Sequence, residues 1–376
     1  MQTIFESNPY FKEALRKVNF RIDEASKRNV EIFGKTWAEK HFTYGNMPHL
    51  SKDFKTLLGK MHLTIAASTI NTRSAEPLRM NQGFEELAQK MFTHAHAYKM
   101  ESDYIRDLML RAKAAVNVTD EQIVDYLVNE IFDQQTEAVM GVRARIDIII
   151  LEALSNHGQF TFTKANDPQS PFIGTTIGFG FDPKKKGSVE TGKEWTDAHK
   201  ATIDPIAEID SVLKQNRLIK PKKILTDYST LLYMQSCDKM KGYLNTTLYP
   251  NDPISETKIN GWLAEHKMPT IEVVDFTCGV QDGDNVHDYT PWKEGQLVFI
   301  PQDNLGTIET AYSDAELGMK SDGVQYNHYG RIETRRFVQG EKENSDYAEI
   351  TKASMTGAPS FVTAKNIITL DTKRNN

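Results

Sequence analysis

The stretch that decides the reading opens Thr119-Asp120-Glu121-Gln122-Ile123-Val124 and continues through Val142-Arg143-Ala144-Arg145-Ile146-Asp147-Ile148-Ile149-Ile150-Leu151. It ends Ala153-Leu154-Ser155-Asn156-His157-Gly158. Thr119 followed three residues later by Gln122 is a capping box. Apolar residues then recur at Ile123, Val124, Leu127, Val128, Ile131, Phe132, Val139, Val142, Ile146, Ile149, Ala153 and Leu154. That is helical spacing, broken on the same face only at Gln135. Gly158 is the C-terminal stop. The spacing predicts one helix over 119–157, about 57 Å long at about 1.5 Å per residue. Its first half carries one apolar stripe beside Asp125, Glu130, Asp133 and Glu137, so it should lie on a surface with a partner on one side. The second half is apolar nearly all round and belongs in a core. Gly141, where the character changes, costs about 1 kcal/mol against Ala and marks an expected bend. A long core helix of a large enzyme is the plain alternative. A heptad dimer is disfavoured, because the stripe does not keep two apolar positions in seven.

The 376 residues can bury a large core and should divide into two lobes plus extensions. With 39% hydrophobic and 26% charged residues the composition is that of a soluble globular protein. The net charge of −6 argues against a general nucleic-acid binder. No apolar run approaches the ~20 residues that span a bilayer, and the first residues show no signal-peptide core. Cys237 and Cys278 are too few and too far apart for a disulfide framework or metal cluster, which fits reduced thiols in a cytoplasm.

Residues 1–60 read as an arm, with an amphipathic helix on Phe11, Leu15, Val18 and Ile22. They hold 11 Lys/Arg against 7 Asp/Glu, so the arm is mildly basic in an acidic chain. Residues 61–100 read as a hairpin-like excursion with too little apolar surface to fold alone. An outgoing strand (Leu63 to Thr69) leads to a polar tip (Asn71 to Pro77) and a short helical piece at Gly83–Lys90. A returning strand follows at Phe92–Lys99. His94 and His96 share a face of that strand, but spacing offers no third ligand, so a packing face with Phe92, Tyr98 and Met100 is preferred to a metal site.

Beyond the long helix, Gln159–Thr163 and Thr176–Phe181 are expected strands, and Asp182 to Gly187 a charged boundary. The glycines at 174, 178 and 180 meet neither dinucleotide nor Walker spacing. Between 190 and 310 helices and strands interleave. Asp204-Pro205 starts one helix, Pro221 precedes a strand at 223–226, and Asp227 caps a helix reaching Tyr243. A third helix runs over Glu256–His266. Strands follow at Thr270–Phe276 and Gln296–Pro301, with a polar loop between Gly279 and Gly295. This is an α/β lobe. The tail returns to strands at Gly330–Val338 and Asn366–Leu370. The last is expected to pair with the strands just after the long helix, which would make 190–310 an insertion.

No catalytic motif is present: no G-x-S-x-G, H-E-x-x-H, C-x-x-C or EF-hand series. The acidic cluster Asp282, Asp284, Asp288 lacks the ordered ligand positions of a Ca²⁺ loop and reads as a loop tip. No catalytic residue, metal or cofactor is assigned.

Several short stretches fall in a characteristic order: Arg143-x-Arg145-x-Asp147 and Ala153 to Gly158, then Gly178-Phe179-Gly180-Phe181-Asp182, then Trp195 before Asp204-Pro205-Ile206. They are followed by Pro221, Gly242-Tyr243-Leu244, and Trp262-Leu263 before Pro269-x-Ile271-x-Val273. Last come Asp282-Gly283 and Val298-x-Ile300-Pro301. In these, and in the order of its elements, nearly the whole chain resembles the major capsid proteins of tailed phages. These have the Hong Kong 97 fold, and the likeness is to the lambda-type group called major capsid protein E. The resemblance implies an α+β architecture: arm 1–60, extended loop 61–100, peripheral domain 101–189 and 311–376 with spine helix 119–157, and axial domain 190–310.

It also implies a role in assembly and no enzymatic one, with identical chains forming pentamers and hexamers of an icosahedral shell around double-stranded DNA. DNA would be met non-specifically, with the basic arm facing inward. The implied partners are further copies of the chain, a portal protein, a scaffolding protein and a cement or decoration protein, and no membrane. The place would be the virion, after assembly in a bacterial cytoplasm. No large separable scaffolding segment is seen at the N-terminus, and nothing carries over the Lys–Asn crosslink of one branch. Arg73 and Arg79 at the loop tip are expected to meet acids of an adjacent subunit, with Glu130, Asp133 and Glu137 as candidates. Glu85, Glu86, His94 and His96 complete the subunit-interface candidates. An encapsulin-type nanocompartment shares the fold and is the near alternative; an α/β enzyme with a site in 190–310 is the distant one.

Overall fold

The long helix forms where the sequence places it. In the computed structural model, which describes residues 7–27, 34–59, 85–113, 119–245, 253–339 and 347–374 (side chains of 19, 21–27 and 131–133 excepted), it runs unbroken over Asp120–Ser155. The Thr119 hydroxyl accepts from the Gln122 N–H, and the Gln122 side chain accepts from the Thr119 N–H at 3.0 Å. At the far end Gly158 takes φ 78° and its N–H donates to the Ala153 carbonyl at 2.6 Å. A side chain there would run into the ring of Phe181.

Before this helix come α1 (Pro9–Lys27), α2 (Trp37–His41), β1 (Phe42–Tyr44), β2 (Asp53–Leu58), β3 (Glu85–Lys90), β4 (Phe92–Glu101) and α3 (Ser102–Lys113); the long helix itself is α4. After it come β5 (Gln159–Thr161), β6 (Thr176–Gly178), β7 (Lys186–Ser188), α5 (Pro205–Gln215), β8 (Lys223–Thr226), α6 (Tyr228–Ser236), α7 (Asp238–Leu244) and α8 (Glu256–Glu265). The strands β9 (Thr270–Val273), β10 (Cys278–Asp282), β11 (Asn285–Tyr289), β12 (Gln296–Ile300), β13 (Gly306–Thr310), β14 (Gln325–Tyr329), β15 (Ile332–Gln339), β16 (Ala348–Ser360) and β17 (Ile368–Asp371) follow.

The two halves of α4 bury different surfaces. Ile123, Val124, Leu127 and Val128 pack against Phe11, Ala14, Leu15 and Val18 of α1 and Ile105 and Leu108 of α3. The partner the first half needs is thus supplied by its own chain. The second half sinks Ile146, Ile148, Ile149, Ile150 and Leu151 into the main core with Phe160, Phe162, Phe179 and Phe361. Each such buried aliphatic contributes about 1.5–3 kcal/mol. Beneath it lies a sheet in the order β1-β13-β16-β15-β14, with β4 also paired to β16. Ser354 is opposite both Ala95 and Glu333, and Gly357 opposite both Phe92 and Thr310. So β4 holds one edge of β16, while β15 and then β13 hold the other. Gly141 has a packing reason: its missing Cβ would lie 2.6 Å from His96 Nδ1 on β4, so the glycine lets strand and helix approach.

The second lobe has its own sheet, β7-β17-β12-β8-β9, and its own core around Trp195, Ile209, Leu231, Met234, Leu263 and Phe299. Asp204, Asp227 and Ser255 each accept from a backbone N–H and start α5, α6 and α8, and Pro205 occupies the first turn of α5.

The structure revises several expectations. β17 pairs with β12 and β7, inside the second lobe's sheet, and the strands after α4 (β5 and β6) pair with each other. Residues 85–90 are a strand on β2, where a helical piece is predicted. The returning strand β4 pairs with β16; the predicted outgoing strand at 63–69 lies outside the described residues. The loop 279–295 contains the hairpin β10–β11, turning at Gly283 with φ 60°. The helix after Asp227 is two helices, divided at Cys237. Part of the expected arm is built into the sheet, since β1 runs parallel to β13.

Candidate assembly surfaces

The extended loop is rooted on the C-terminal segment. Its stem, β2 with β3, buries Leu58 and packs Phe54 on Met91 and Ala358. The Gly59 N–H donates to the Val362 carbonyl at 2.9 Å, and Asn366 Nδ2 to the Gly59 carbonyl at 3.4 Å. Gly180, at φ 73°, leaves room for Leu58 and Leu87. These contacts fix where the chain leaves and re-enters at 59 and 85. Arg73 and Arg79 lie between, outside the described residues.

The other predicted residues are placed as follows. Glu86 accepts from Lys55 across the stem at 2.7 Å, both side chains being well exposed; Glu85 pairs with Lys365 at 3.1 Å. Exposed pairs of this kind give about 0–1 kcal/mol and are easily exchanged for a partner's charges. On α4, Glu130 accepts from Tyr104 at 2.6 Å. Glu137 is exposed and holds the Tyr98 hydroxyl, which burial and then this carboxylate push up to about 12. The Asp133 side chain is outside the described residues. His94 is buried under α4 with Nε2 donating to the Gly357 carbonyl at 3.3 Å. The His96 ring lies tilted against Tyr98, beside Gly141. Both histidines contribute to the packing of β4 within their own chain. Among the described residues no group of three His, Cys, Asp or Glu is placed to hold a metal.

A buried polar cluster pins α2 to the long helix. Arg143 Nε donates to Glu39 Oε1 at 3.0 Å, and Nη2 donates both to Glu39 Oε2 and, at 2.8 Å, to the Gly34 carbonyl. Tyr44 donates to the same Glu39 at 3.1 Å. Asp147 accepts from the Ala38 N–H at 2.7 Å, at the first turn of α2, where a carboxylate is favoured. Between them in sequence, Arg145 Nη1 donates to the Asn166 carbonyl at 2.6 Å. The motif Arg143-x-Arg145-x-Asp147 is thus a device for seating neighbouring segments on the helix. Its alternation shows in the sequence; its partners, Glu39 and Ala38, do not.

Burial pushes the Asp147 carboxyl up to about 7 against its helix-capping bond, and burial, then the Arg145 charge, pulls the His94 imidazole down to about 4. The signs oppose. Asp147 binds its proton more tightly folded than unfolded, so its contribution is full below about pH 4 and lost as pH rises through about 7. His94 contributes fully above about 6.5 and loses that contribution as pH falls through about 4. Asp147→Asn should therefore stabilise at pH 8 and make stability fall more steeply than wild type on acidification from about 6.5 to 4. The added slope is at most about 1.4 kcal/mol per pH unit for one proton. Urea midpoints across pH check this; parallel profiles would contradict it.

Large apolar side chains are exposed at Met47, Leu50, Leu317 and Met319. They come from two loops joined by the bridge of His49 to Ala311 and the bond from the Tyr312 N–H to the His49 carbonyl. Apolar exposure concentrated this way marks contact surface. No helix among the described residues is long and apolar enough to cross a membrane.

No protein-family model matches the chain, and no curated protein matches it. Among solved structures, a protein assigned as the capsid protein of a prophage in Escherichia coli CFT073 superposes at a TM-score of 0.55. The match covers 95% of this chain and 98% of that one, at 10% identity. The fold is that of a phage capsid protein. The capsid of Myoviridae phage XM1 (TM-score 0.43, 11% identity, 91% and 97% covered) also matches. So does a holo-SrpI encapsulin complex from Synechococcus elongatus PCC 7942 (0.32, 8%, 93% and 94%). Those lower scores carry no weight.

Proposed function

We propose that this chain is the major capsid protein of a tailed double-stranded DNA phage, closing as pentamers and hexamers into an icosahedral shell. The observation that carries the reading is the end-to-end superposition on the prophage protein, with no element of either chain left over as a separate domain. In this reading residues 190–310, to whose sheet β7 and β17 add, are the axial domain, and 61–100 are the extended loop that reaches a neighbouring subunit. Many modest contacts then sum, each weak enough to be corrected during assembly. Arg73 and Arg79 would meet acids of that neighbour, Glu130, Asp133 and Glu137 among them, at about 0–1 kcal/mol each, setting register more than strength. Portal, scaffolding and decoration proteins are the further partners, and the bacterial cytoplasm the place of assembly.

Electron microscopy of the purified chain, alone and co-expressed with scaffolding and portal candidates, tests this. Uniform closed shells holding DNA are expected, with particle yield reduced by charge reversal at Arg73 and Arg79. Shells filled with protein would make it a nanocompartment, and a monomer in every sample would overturn the assembly reading. Unchanged yield in the reversal variant would remove the arginine contacts alone.

A further inference from the structure

The second sheet has a charged end. β17 and β8 are each antiparallel to β12, while β7 is parallel to β17 and β9 to β8. Four strands therefore begin at one end of the sheet, and the segments leading into them converge there. Three of these contribute to a cleft of about 280 Å³ lined by Asp182, Lys185, Asn216, Arg217, Lys365 and Asn366 among others. Lys184, Lys186 and Lys220 adjoin its lining residues in sequence.

The charge balance there is one-sided. Lys185 has one carboxylate, Asp182, at 3.9 Å, and also donates to the Lys365 carbonyl, while Lys365 has Glu85, at 3.1 Å. Among the described residues no carboxylate lies within ion-pair distance of Lys184, Lys186, Arg217 or Lys220. Lys222 and Lys223, the next cations along, are paired to Asp303 and Glu272. Burial, with the Lys365 charge adding to it and Asp182 opposing, holds Lys185 below the ordinary lysine range. Three cations thus line the cleft beside Asp182, and three more adjoin the lining in sequence, in a chain whose net charge is −6.

We propose that this cleft binds the phosphodiester backbone of the enclosed DNA duplex, an inference that rests on the capsid reading above. A chain of net negative charge repels DNA as a whole and can touch it only through a local positive patch. In the helix of the basic arm, Lys17 and Arg16 are already paired, to Asp125 at 2.9 Å and Glu13 at 2.6 Å. The cleft lining holds no aromatic ring, so it offers no platform for stacked bases and suits backbone contact without sequence preference.

The test is titration of the full chain with a short mixed-sequence duplex between about 50 and 200 mM salt, beside electron microscopy of the same preparations. Combining Lys184→Gln, Lys186→Gln, Arg217→Gln and Lys220→Gln should weaken duplex binding at least tenfold. The slope of log K against log salt should fall by about 3.6, since each of the four phosphate contacts contributes about 0.9. Neutralising Lys52, Lys164, Lys239 and Lys320 instead should change both far less. If the fourfold variant misfolds, Lys186→Gln and Arg217→Gln singly should each lower the slope by about 1. Unchanged affinity and slope would overturn the proposal. So would loss of shells with duplex binding intact, which would make the cleft a subunit contact. Failure of the capsid reading would show separately, as a wild type that forms no shells.

Discussion

Gly306→Ala is expected to destabilise the protein by about 3 kcal/mol or more and to leave little of it soluble. Gly306 opens β13 at the point where that strand meets both β1 and β16, opposite Phe42. A Cβ there would lie 1.9 Å from the backbone oxygen of Ser360 and 3.1 Å from the backbone N of Val362. Neither atom can rotate away as a side chain would. Relief requires β13 to move off β16, and with it the pairing that joins the sheet to the stem of the extended loop. Overpacking in a core costs about 1–3 kcal/mol when side chains can adjust; a backbone obstacle belongs at or beyond the top of that range. Gly178→Ala is the control, because a Cβ there meets nothing within 4 Å. Soluble yield and thermal midpoints of the two variants decide it: equal values would mean that the close approach at Gly306 is not as described.

Arg143→Met is expected to cost about 3–5 kcal/mol, because it strands a charge in place of removing a contact. The Arg143 and Glu39 side chains are 9% and 15% exposed. Without the guanidinium, Glu39 keeps the Tyr44 hydroxyl and the capping bond from the Thr36 N–H, but no cation. Glu39→Gln in the same chain should restore a large part of the loss, since the charge that needed compensation is gone. The coupling between the two sites, measured by denaturant melts of both single variants and the double, should reach about 1–3 kcal/mol. Additive losses would show that the pair acts independently, and that α2 is seated by Asp147 alone.

What the sequence reveals and what it hides follow from how local each signal is. The capping box at Thr119, the Asp204-Pro205 start and the Asp227 cap are written within four residues, and each begins the helix expected of it. β16 is the longest strand among the described residues and the hub of the main sheet, yet hydropathy gives no sign of it. Its buried face is Glu349, Thr351, Ala353, Met355 and Gly357, while Ile350 on the other face is only half-buried. A strand buried by its neighbours on polar and small residues does not alternate in apolarity. β10 and β11 are short and mostly polar, with Val280 buried and Val286 exposed, so only the turn at Gly283-Asp284 stands out in the sequence. The loop-stem acids Glu85 and Glu86 could be named from sequence, but their own-chain partners Lys365 and Lys55 lie 280 and 31 positions away. No local pattern announces such pairs.

The position of β16 and β17 in the chain sets an order of events during synthesis. Both strands lie inside their sheets, β16 between β4 and β15, β17 between β7 and β12. β4 must wait for a partner some 250 residues downstream, and the second lobe's sheet has a gap at its middle until residues 368–371 exist. Pairings so distant in sequence form slowly. A chain broken off before residue 348 lacks the hub of one sheet and an inner strand of the other. The two sheets are therefore completed at nearly the same moment of synthesis, and neither can close well ahead of the other.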